Sequence, residues 1–345
     1  MRTVSNPFRG TGLMHDAFAD VPFPSTDAQA PLTLLARCPR ADVTPLRSVS
    51  SLASAVGVAE VMIKDERNRM GLGSFKALGA AYVIACDGAE GTARGKTYVT
   101  ASAGNHGLSV AAGAAAFGAR AVIYLAETVP ESFADRLRDI GAEVVRAGAG
   151  YEASMAAAMQ GAEDMGAVLL SDSSWPGYTA RPHRLMEGYL ALMAEVFDQI
   201  DAPPTHLFLQ AGVGGLVGAA AAIARLHWGE ATRIIVVEPE AAPCLIASIE
   251  AGEPAQTTGP ASAMGRLDCK VASLIALKGL ARDADDFMTI SESEGDAGAR
   301  LAAQHGFAST PSGAAGLAGL SAAAGSFDLD ADARVLLILS EGPEA

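Results

Sequence analysis

Cysteine is scarce in this sequence of 345 residues, and it occurs without any spacing typical of a metal site. The cysteines are widely scattered, and none forms a CxxC pair or the Cys/His spacing of a zinc site. We therefore expect free thiols, mostly buried as small hydrophobic groups, and no bound metal. The four residues are Cys38, Cys86, Cys244 and Cys269.

Long hydrophobic runs are also lacking, although 50% of the residues are hydrophobic. The apolar runs are short and are bounded by charges or glycines, so none approaches the roughly 20 residues that a membrane-spanning helix needs. The first ten residues lack the basic head and apolar stretch of a secretory signal. We expect a protein without a membrane span that stays in the cytoplasm.

Positive charge is in deficit, because 25 lysines and arginines face 39 aspartates and glutamates, a formal net charge of -14. Such a chain repels phosphate backbones and anionic lipid. The composition argues against nucleic acid or a membrane surface as a partner.

Short β-branched runs alternate with longer alanine-rich stretches over most of the chain. This alternation predicts an α/β fold with mostly parallel strands, since crossover helices must cover both faces of each sheet. A long helix is expected over residues 181–199, and the composition changes near residues 201–204. The expected strands are 61–64, 97–100, 121–125, 167–170, 206–209, 233–237, 287–290 and 335–339.

Lys76 follows the glycine-containing segment 71–75 and opens an alanine-rich helix. A lysine at a strand-to-helix turn can reach a pocket at the carboxyl ends of the strands. The alternative is a solvated surface lysine, because lysine is almost never fully buried without a partner.

The segment Ser102, Ala103, Gly104, Asn105, His106 follows a predicted strand and precedes a helix. Backbone N–H groups at such a helix start form a site for a carboxylate or phosphate. The segment is otherwise an ordinary tight turn, with Asn105 tolerating an unusual backbone angle.

A glycine-rich segment, Gly212, Val213, Gly214, Gly215, lies between the strand 206–209 and another alanine-rich helix. Glycines allow the main chain to approach a phosphate closely. A nucleotide-binding fingerprint is the alternative, with Glu238 in the place of the ribose-binding acid. That alternative is weakened because Val217 occupies the position of the third glycine.

Two further strand ends carry polar groups. Asp172 begins the segment 172–178, which contains two aromatic residues, and it is either a general base in a cleft or a turn aspartate that caps local amides. Ser340 follows the strand 335–339 and places a hydroxyl at its end.

The segments 74–76, 102–107, 212–215 and 340–342, in this order, resemble the fold-type II pyridoxal-phosphate (PLP) enzymes. This group includes threonine and serine dehydratases, cysteine synthases and diaminopropionate ammonia-lyases, and the last are the most similar. Their pattern is matched by residues 64–67, 75–79, 172–178, 210–214 and 340–342, so the resemblance runs from about residue 44 to the C-terminus.

The resemblance implies a role for each matching residue. Lys76 carries PLP as a Schiff base and later moves the Cα proton, and Asn105 contacts the 3-oxygen of the pyridine ring. The glycine-rich segment 212–215 holds the phosphate, and Ser340 lies beside the pyridine nitrogen. Asp172 holds or protonates the leaving group, and Ser102, Ala103, Gly104 and His106 bind the substrate.

The implied activity is β-elimination on a small L-amino acid, giving a 2-oxo acid and ammonia, with 2,3-diaminopropionate as the expected substrate. Ala103 departs from the pattern, because diaminopropionate ammonia-lyases carry an aspartate there. We therefore expect weak or no activity on the D-isomer. A serine/threonine dehydratase or racemase remains an alternative, as does a non-catalytic small-molecule or NAD-binding regulator, against which the presence of Lys76 argues.

The resemblance also implies two open, mostly parallel sheets flanked by helices, with the cofactor in the cleft between two α/β domains. We expect a large domain of residues 1–85 and 195–345, a smaller inserted domain of residues 86–194, and a homodimer.

Overall fold

The computed structural model describes residues 1–343 and contains two β-sheets with associated helices. The seven strands of the large sheet are β1 (Thr3–Ser5), β2 (Leu46–Ser48), β3 (Glu60–Asp65), β8 (His206–Gln210), β9 (Arg233–Pro239), β10 (Asp286–Ile290) and β11 (Arg334–Leu339). The four strands of the small sheet are β4 (Thr97–Ala101), β5 (Arg120–Leu125), β6 (Glu143–Arg146) and β7 (Val168–Leu169).

The large sheet has the strand order β1-β10-β9-β8-β11-β3-β2. Its five inner strands are parallel to one another, and only the edge strands β1 and β2 run antiparallel to their neighbours. Every residue of β8 and of β10 is buried. Burial on both faces explains why these strands show no regular alternation of apolar and polar residues.

The small sheet has the order β6-β5-β4-β7, and all of its pairs are parallel. The carboxyl ends of parallel strands meet at one edge of a sheet, so the loops after β4 and β7 lie together. These two loops contain residues 102–104 and 170–179.

The helices occur mostly between successive strands, as a parallel sheet requires. The long helix expected over residues 181–199 is confirmed, because α7 spans Ala180–Gln199. The helices are α1 (Gln29–Leu35), α2 (Ser50–Val56), α3 (Lys76–Ala89), α4 (Asn105–Phe117), α5 (Glu131–Asp139), α6 (Tyr151–Asp164), α7, α8 (Gly215–Trp228), α9 (Cys244–Ala251), α10 (Leu274–Asp283), α11 (Glu292–Gln304) and α12 (Ala315–Ala322).

The α/β class with two mostly parallel sheets is confirmed, and each of the eight expected strands overlaps an observed one. Three strands were not expected: β1, β2 and β6. Each has three or four residues and lies at a sheet edge, with intermediate or exposed side chains. Such strands lack the apolar run that marks a buried strand.

The proposed domain bounds fall inside two helices, because residue 86 lies in α3 and residue 195 lies in α7. These helices pack directly against each other: a Cβ added to Gly188 in α7 would lie 2.4 Å from the carbonyl oxygen of Leu78 in α3. The division into two domains stays a prediction.

A buried network of charged groups joins the end of β3 and the loop after it to the last part of α7. Lys64 Nζ lies 2.6 Å from Glu195 Oε2, and Arg69 contacts both Glu195 and Glu66 at 2.7 Å. Two cations and two anions balance within it, as buried charges require. No helix within residues 1–343 has the length and apolar character needed to cross a membrane.

Candidate active site

Lys76 and Asp172 form an ion pair between the two sheets. Lys76 is the first residue of α3, reached from the end of β3 through a loop, and Asp172 lies just after β7. Lys76 Nζ and Asp172 Oδ2 are 2.5 Å apart. The two side chains are 23% and 19% exposed, so the pair is largely enclosed but reachable by a small molecule. Lys76 is therefore not the solvated surface lysine of the alternative interpretation.

Burial and the mutual attraction of the two charges act in opposite directions on this pair. Burial lowers the pKa of Lys76, but the opposite effect of its neighbours, with the Asp172 carboxylate first among them, is larger, so the pKa is raised above its ordinary value. Burial raises the pKa of Asp172, but the opposite effect of Lys76 and His106 is larger, so the pKa lies below its ordinary value. The pair is an ammonium and a carboxylate at neutral pH.

Hydrogen bonds fix the loop that carries Asp172. The Tyr178 hydroxyl accepts from the Ser171 amide at 3.0 Å and donates to the Leu169 carbonyl at 3.0 Å. The Trp175 ring stacks on Tyr178 with centroids 4.3 Å apart. Ser171 Oγ, not Asp172, accepts the local amide of Ser173. The turn-capping alternative thus applies to Ser171, while the Asp172 carboxylate faces Lys76.

The glycine-rich segment lies between β8 and α8. Gly214 has φ +98°, a backbone conformation that favours glycine, and an added Cβ would lie 2.9 Å from the Ala276 Cβ. An added Cβ on Gly212 would lie 3.1 Å from the Arg266 carbonyl oxygen. The first amides of α8 have no partner within the helix, so the segment has the form of an anion site.

This segment adjoins the Lys76–Asp172 pair. A Cβ added to Gly215 would lie 3.8 Å from the Asp172 carbonyl oxygen and 3.6 Å from the Tyr189 ring. The anion site and the amine are therefore parts of one region.

Glu238 does not occupy a nucleotide site. Its side chain is fully buried, and its two oxygens accept hydrogen bonds of 2.8 Å from the amides of Leu245 and Ile246 at the start of α9. This position disfavours the nucleotide-binding alternative, because the carboxyl group is occupied by the protein itself.

The loop after β4 brings its residues to the same region, with different partners. The Ser102 hydroxyl accepts from the amides of Gly104 at 3.3 Å and Gly107 at 3.1 Å, so it stabilises its own turn. Ala103 is exposed. The Asn105 side-chain amide donates to the carboxylate of Glu341, the residue after Ser340.

His106 is buried, and its Nε2 lies 2.8 Å from the Leu170 carbonyl oxygen. A carbonyl only accepts, so Nε2 carries the proton and donates it. Burial lowers the pKa of His106, so the ring is neutral, and its buried Nδ1 has no hydrogen-bond partner in the described chain.

Ser340 follows β11, and its carbonyl oxygen accepts from the Phe75 amide at 3.1 Å, which joins it to the loop before Lys76. The residue is only 6% exposed.

Tyr189 belongs to the site but was not predicted. Its ring packs against Phe75 with centroids 4.9 Å apart, and Lys76 Nζ lies 5.9 Å from its centroid. Its hydroxyl group is buried and has no hydrogen-bond partner in the described chain. Tyr189 reads in the sequence as one more apolar position of α7, so no local signal marks it. Arg266 and Glu341, also missed, reach the site from distant segments.

A family model described as "Pyridoxal-phosphate dependent enzyme" matches residues 39–341. The chain belongs to this family. Its cofactor is PLP.

The residues in the site fit PLP. The glycine-rich segment leads into the start of α8, where main-chain amides without a helical partner can donate to a phosphate. Gly215 lies near Asp172, which pairs with the Lys76 amine. The site also holds buried polar atoms without partners, the Tyr189 hydroxyl and His106 Nδ1. Buried polar atoms normally have partners, so these atoms mark space for a polar ligand.

The relatives share most of the chain. The diaminopropionate ammonia-lyase of Salmonella typhimurium is 34% identical, over 89% of this chain and 86% of the relative. The enzyme of the same name from Escherichia coli K12 is 31% identical, over 87% of this chain and 84% of the relative. A biosynthetic L-threonine dehydratase of Pasteurella multocida is 33% identical over 62% of this chain and 39% of that protein.

Solved structures of similar proteins superpose on this chain over almost its whole length. Diaminopropionate ammonia-lyase from Escherichia coli, in complex with an aminoacrylate-PLP azomethine reaction intermediate, superposes with a TM-score of 0.88 at 29% identity. The match covers 99% of this chain and 93% of the other. Maize serine racemase, at 22% identity and a TM-score of 0.80, shares the fold.

Proposed function

We propose that this enzyme is an ammonia-lyase that converts L-2,3-diaminopropionate and water into pyruvate and two molecules of ammonia. The observation that carries the proposal is the Lys76–Asp172 pair, which places a carboxyl group beside the amine at the centre of a PLP site. Two relatives that cover most of both chains bear this activity in their names.

Three parts of this chain would hold the cofactor. Lys76 supplies the amine to which PLP is attached, the segment 212–215 at the start of α8 binds its phosphate, and the Ser340 hydroxyl serves the pyridine nitrogen. When bound, PLP supplies an electron sink that acidifies the Cα–H bond of an amino acid. A hydroxyl group beside the ring nitrogen, in place of a carboxylate, does not enforce its protonation and so favours loss of a β-substituent.

Lys76 is proposed to take the Cα proton once the substrate amine has displaced it, because a desolvated amine is a competent base. Asp172 is proposed to hold the β-amino group and to give it a proton as it leaves. The Lys76 ammonium is the main group that lowers its pKa against the raising effect of burial. When Lys76 is uncharged, burial dominates and raises the pKa of Asp172, which suits a proton donor.

The ratio of products tests the proposal. Purified enzyme with added PLP is incubated separately with L- and D-diaminopropionate, L-serine and L-threonine, and ammonia and 2-oxo acid are measured. Two ammonia per pyruvate from L-diaminopropionate supports the ammonia-lyase. One ammonia per oxo acid, from serine or threonine alone, makes the enzyme a dehydratase.

Lys76→Ala should abolish turnover, and borohydride reduction of the wild type should attach the cofactor to the peptide that contains Lys76. The matched control is Lys96→Ala, since Lys96 Nζ lies 3.3 Å from Asp87 Oδ2, outside the site. A Lys76→Ala enzyme with near-normal elimination would remove this lysine from the mechanism. A protein that shows no reducible cofactor band would favour the non-catalytic regulator.

A hydroxyamino-acid dehydratase or racemase is the second candidate, and Ala103 favours it. Because Ala103 stands where the pattern of diaminopropionate ammonia-lyases has an aspartate, we expect weak or no turnover of D-diaminopropionate. Efficient turnover of the D-isomer would show that another residue takes this role.

The finer organisation is also proposed. Residues 1–85 and 195–345 would form a large PLP-binding domain, and residues 86–194 would form a smaller inserted domain. A homodimer in the cytoplasm is what the resemblance implies, and light scattering of the purified holoenzyme would measure its mass.

A further inference from the structure

Glu341 is the residue on which several parts of the site converge. It is 5% exposed and is the second residue after β11. Oε2 accepts from the Asn105 side-chain amide, and Oε1 accepts from the Thr310 hydroxyl. Each carboxylate oxygen therefore has its own donor, which fixes the plane of the group.

The main chain around Glu341 is held as firmly. Its carbonyl oxygen accepts from Ser309 Oγ at 2.6 Å, and the next amide, of Gly342, donates to the Gly73 carbonyl at 3.0 Å. Arg266 Nε lies 3.6 Å from Oε2 on the other side. Glu341 thus meets Asn105 from a fixed position, although the two residues are 236 positions apart in the chain.

A carboxylate accepts hydrogen bonds and does not donate them, so the Asn105 group that faces it must be the NH2 and not the carbonyl. The contact therefore selects one of the two orientations of the amide. One N–H of Asn105 is used by Glu341, and the second N–H is left to donate elsewhere.

We infer that Glu341 is a positioning residue that orients the Asn105 amide so that its second N–H donates to the ring oxygen of PLP. The inference rests on the proposed placement of Asn105 beside that oxygen. Replacement by glutamine keeps the shape but presents an NH2 toward one of the two donors. With glutamine at position 341, the Asn105 amide can accept a hydrogen bond from the new NH2 group by turning its carbonyl oxygen toward it. This rotation takes the Asn105 N–H away from the ring oxygen of PLP.

The absorption spectrum of the bound cofactor reads this change without any turnover. The ratio of its two absorption bands follows the proton shared between the ring oxygen and the lysine nitrogen, and a donor to the ring oxygen shifts that ratio. We expect Glu341→Gln to shift the band ratio in the same direction as Asn105→Ala, and the double variant to equal Asn105→Ala alone. The Kd for PLP should rise on the order of tenfold in either single variant, the equivalent of one hydrogen bond.

Glu292→Gln is the matched control. The Glu292 carboxylate also accepts two hydrogen bonds, from Ser262 Oγ at 2.7 Å and the Ala263 amide at 2.8 Å, but it does not contact Asn105. Its spectrum should match the wild type. Thr310→Val is a second test, because it removes the donor to Oε1 while leaving Asn105 and Glu341 intact, and a smaller shift in the same direction is expected. It carries the test if Glu341→Gln does not fold.

A normal band ratio in folded Glu341→Gln and Thr310→Val holoenzymes, with a shifted ratio in Asn105→Ala, would overturn the inference and leave the proposed function intact. Additive shifts in the double variant would also overturn it. A normal ratio in Asn105→Ala itself would remove Asn105 from the cofactor, and both the inference and that part of the proposed site would fall.

Discussion

The protonation state of Asp172 depends on the charge of one neighbour. Its burial raises its pKa, and Lys76 at 2.5 Å lowers it. A carboxyl group in this position is an anion when Lys76 is an ammonium and gains proton affinity when Lys76 is neutral. The same side chain is thereby suited first to hold an ammonium group and then to protonate a leaving amine.

Asp172→Asn should lower kcat/KM for L-diaminopropionate by on the order of 10²-fold or more, the usual contribution of a general acid or base. The amide keeps the shape but loses the exchangeable proton and the charge. Asp268→Asn is the control, since Asp268 Oδ1 pairs with Lys270 at 2.7 Å. Steady-state kinetics that leave Asp172→Asn unchanged would assign the leaving-group proton to another residue.

The buried Glu238 makes the stability of the protein depend on pH, because its pKa is shifted upward whereas that of Asp172 is shifted downward. Burial raises its pKa to about 8, although the amides of Leu245 and Ile246 act in the lowering direction. An acid whose folded pKa is raised binds more protons in the folded state than in the unfolded state. Its stabilising effect is complete below its unfolded pKa of about 4.3, declines as the pH rises above that value, and is lost once the pH has passed 8.

Glu238→Gln mimics the protonated side chain at every pH, so the wild type should lose stability relative to this variant as the pH rises from about 5 to 8, by at most about 1.4 kcal/mol per pH unit. Urea unfolding at several pH values measures the difference. A constant difference between wild type and variant would show that Glu238 does not titrate in this range.

At the scale of elements, the start of α8 depends on a backbone that only glycine adopts easily. Gly214 combines φ +98° with a Cβ position 2.9 Å from the Ala276 Cβ. Sequence alone indicated a glycine-rich turn after a strand. It did not indicate that α10 packs against this turn, because that contact joins segments more than sixty residues apart.

Gly214→Ala should destabilise the protein by about 1–3 kcal/mol, since strain and overpacking act together, and should weaken PLP binding. Gly265→Ala is the control, because nothing lies within 4 Å of an added Cβ there and its φ is not in the left-handed region. Denaturant unfolding without PLP and titration with PLP give the two quantities. Equal behaviour of the two variants would show that the loop adapts without cost.

At the scale of the whole molecule, the buried network of Lys64, Glu66, Arg69 and Glu195 fixes α7 against β3. Burial lowers the pKa of Lys64. Burial raises the pKa of Glu195, but the opposite effect of Arg69 and Lys64 is larger. Glu195 therefore remains an anion at neutral pH. α7 also carries Tyr189, so the network holds one wall of the site in place.

Glu195→Gln should cost about 3–5 kcal/mol in the free energy of unfolding, because it leaves two buried cations with one anion. Glu143→Gln, which breaks an exposed pair with Arg120, should cost no more than about 1 kcal/mol. Both values come from chemical unfolding at neutral pH. A small effect at Glu195 would mean that water or a shifted side chain replaces the lost charge.

The sequence by itself determined the fold class, the eight apolar strands, the helix α7 and the segments that carry Lys76, Asp172, Ser340 and the glycine-rich turn. These features are local, because strand periodicity, helix length and turn chemistry are properties of neighbouring residues. Only the tertiary structure brought Lys76 against Asp172, placed Tyr189 in the site and joined Asn105 to Glu341. These contacts link segments about a hundred or more residues apart, and no local pattern specifies which side chains meet when two sheets and their loops pack together.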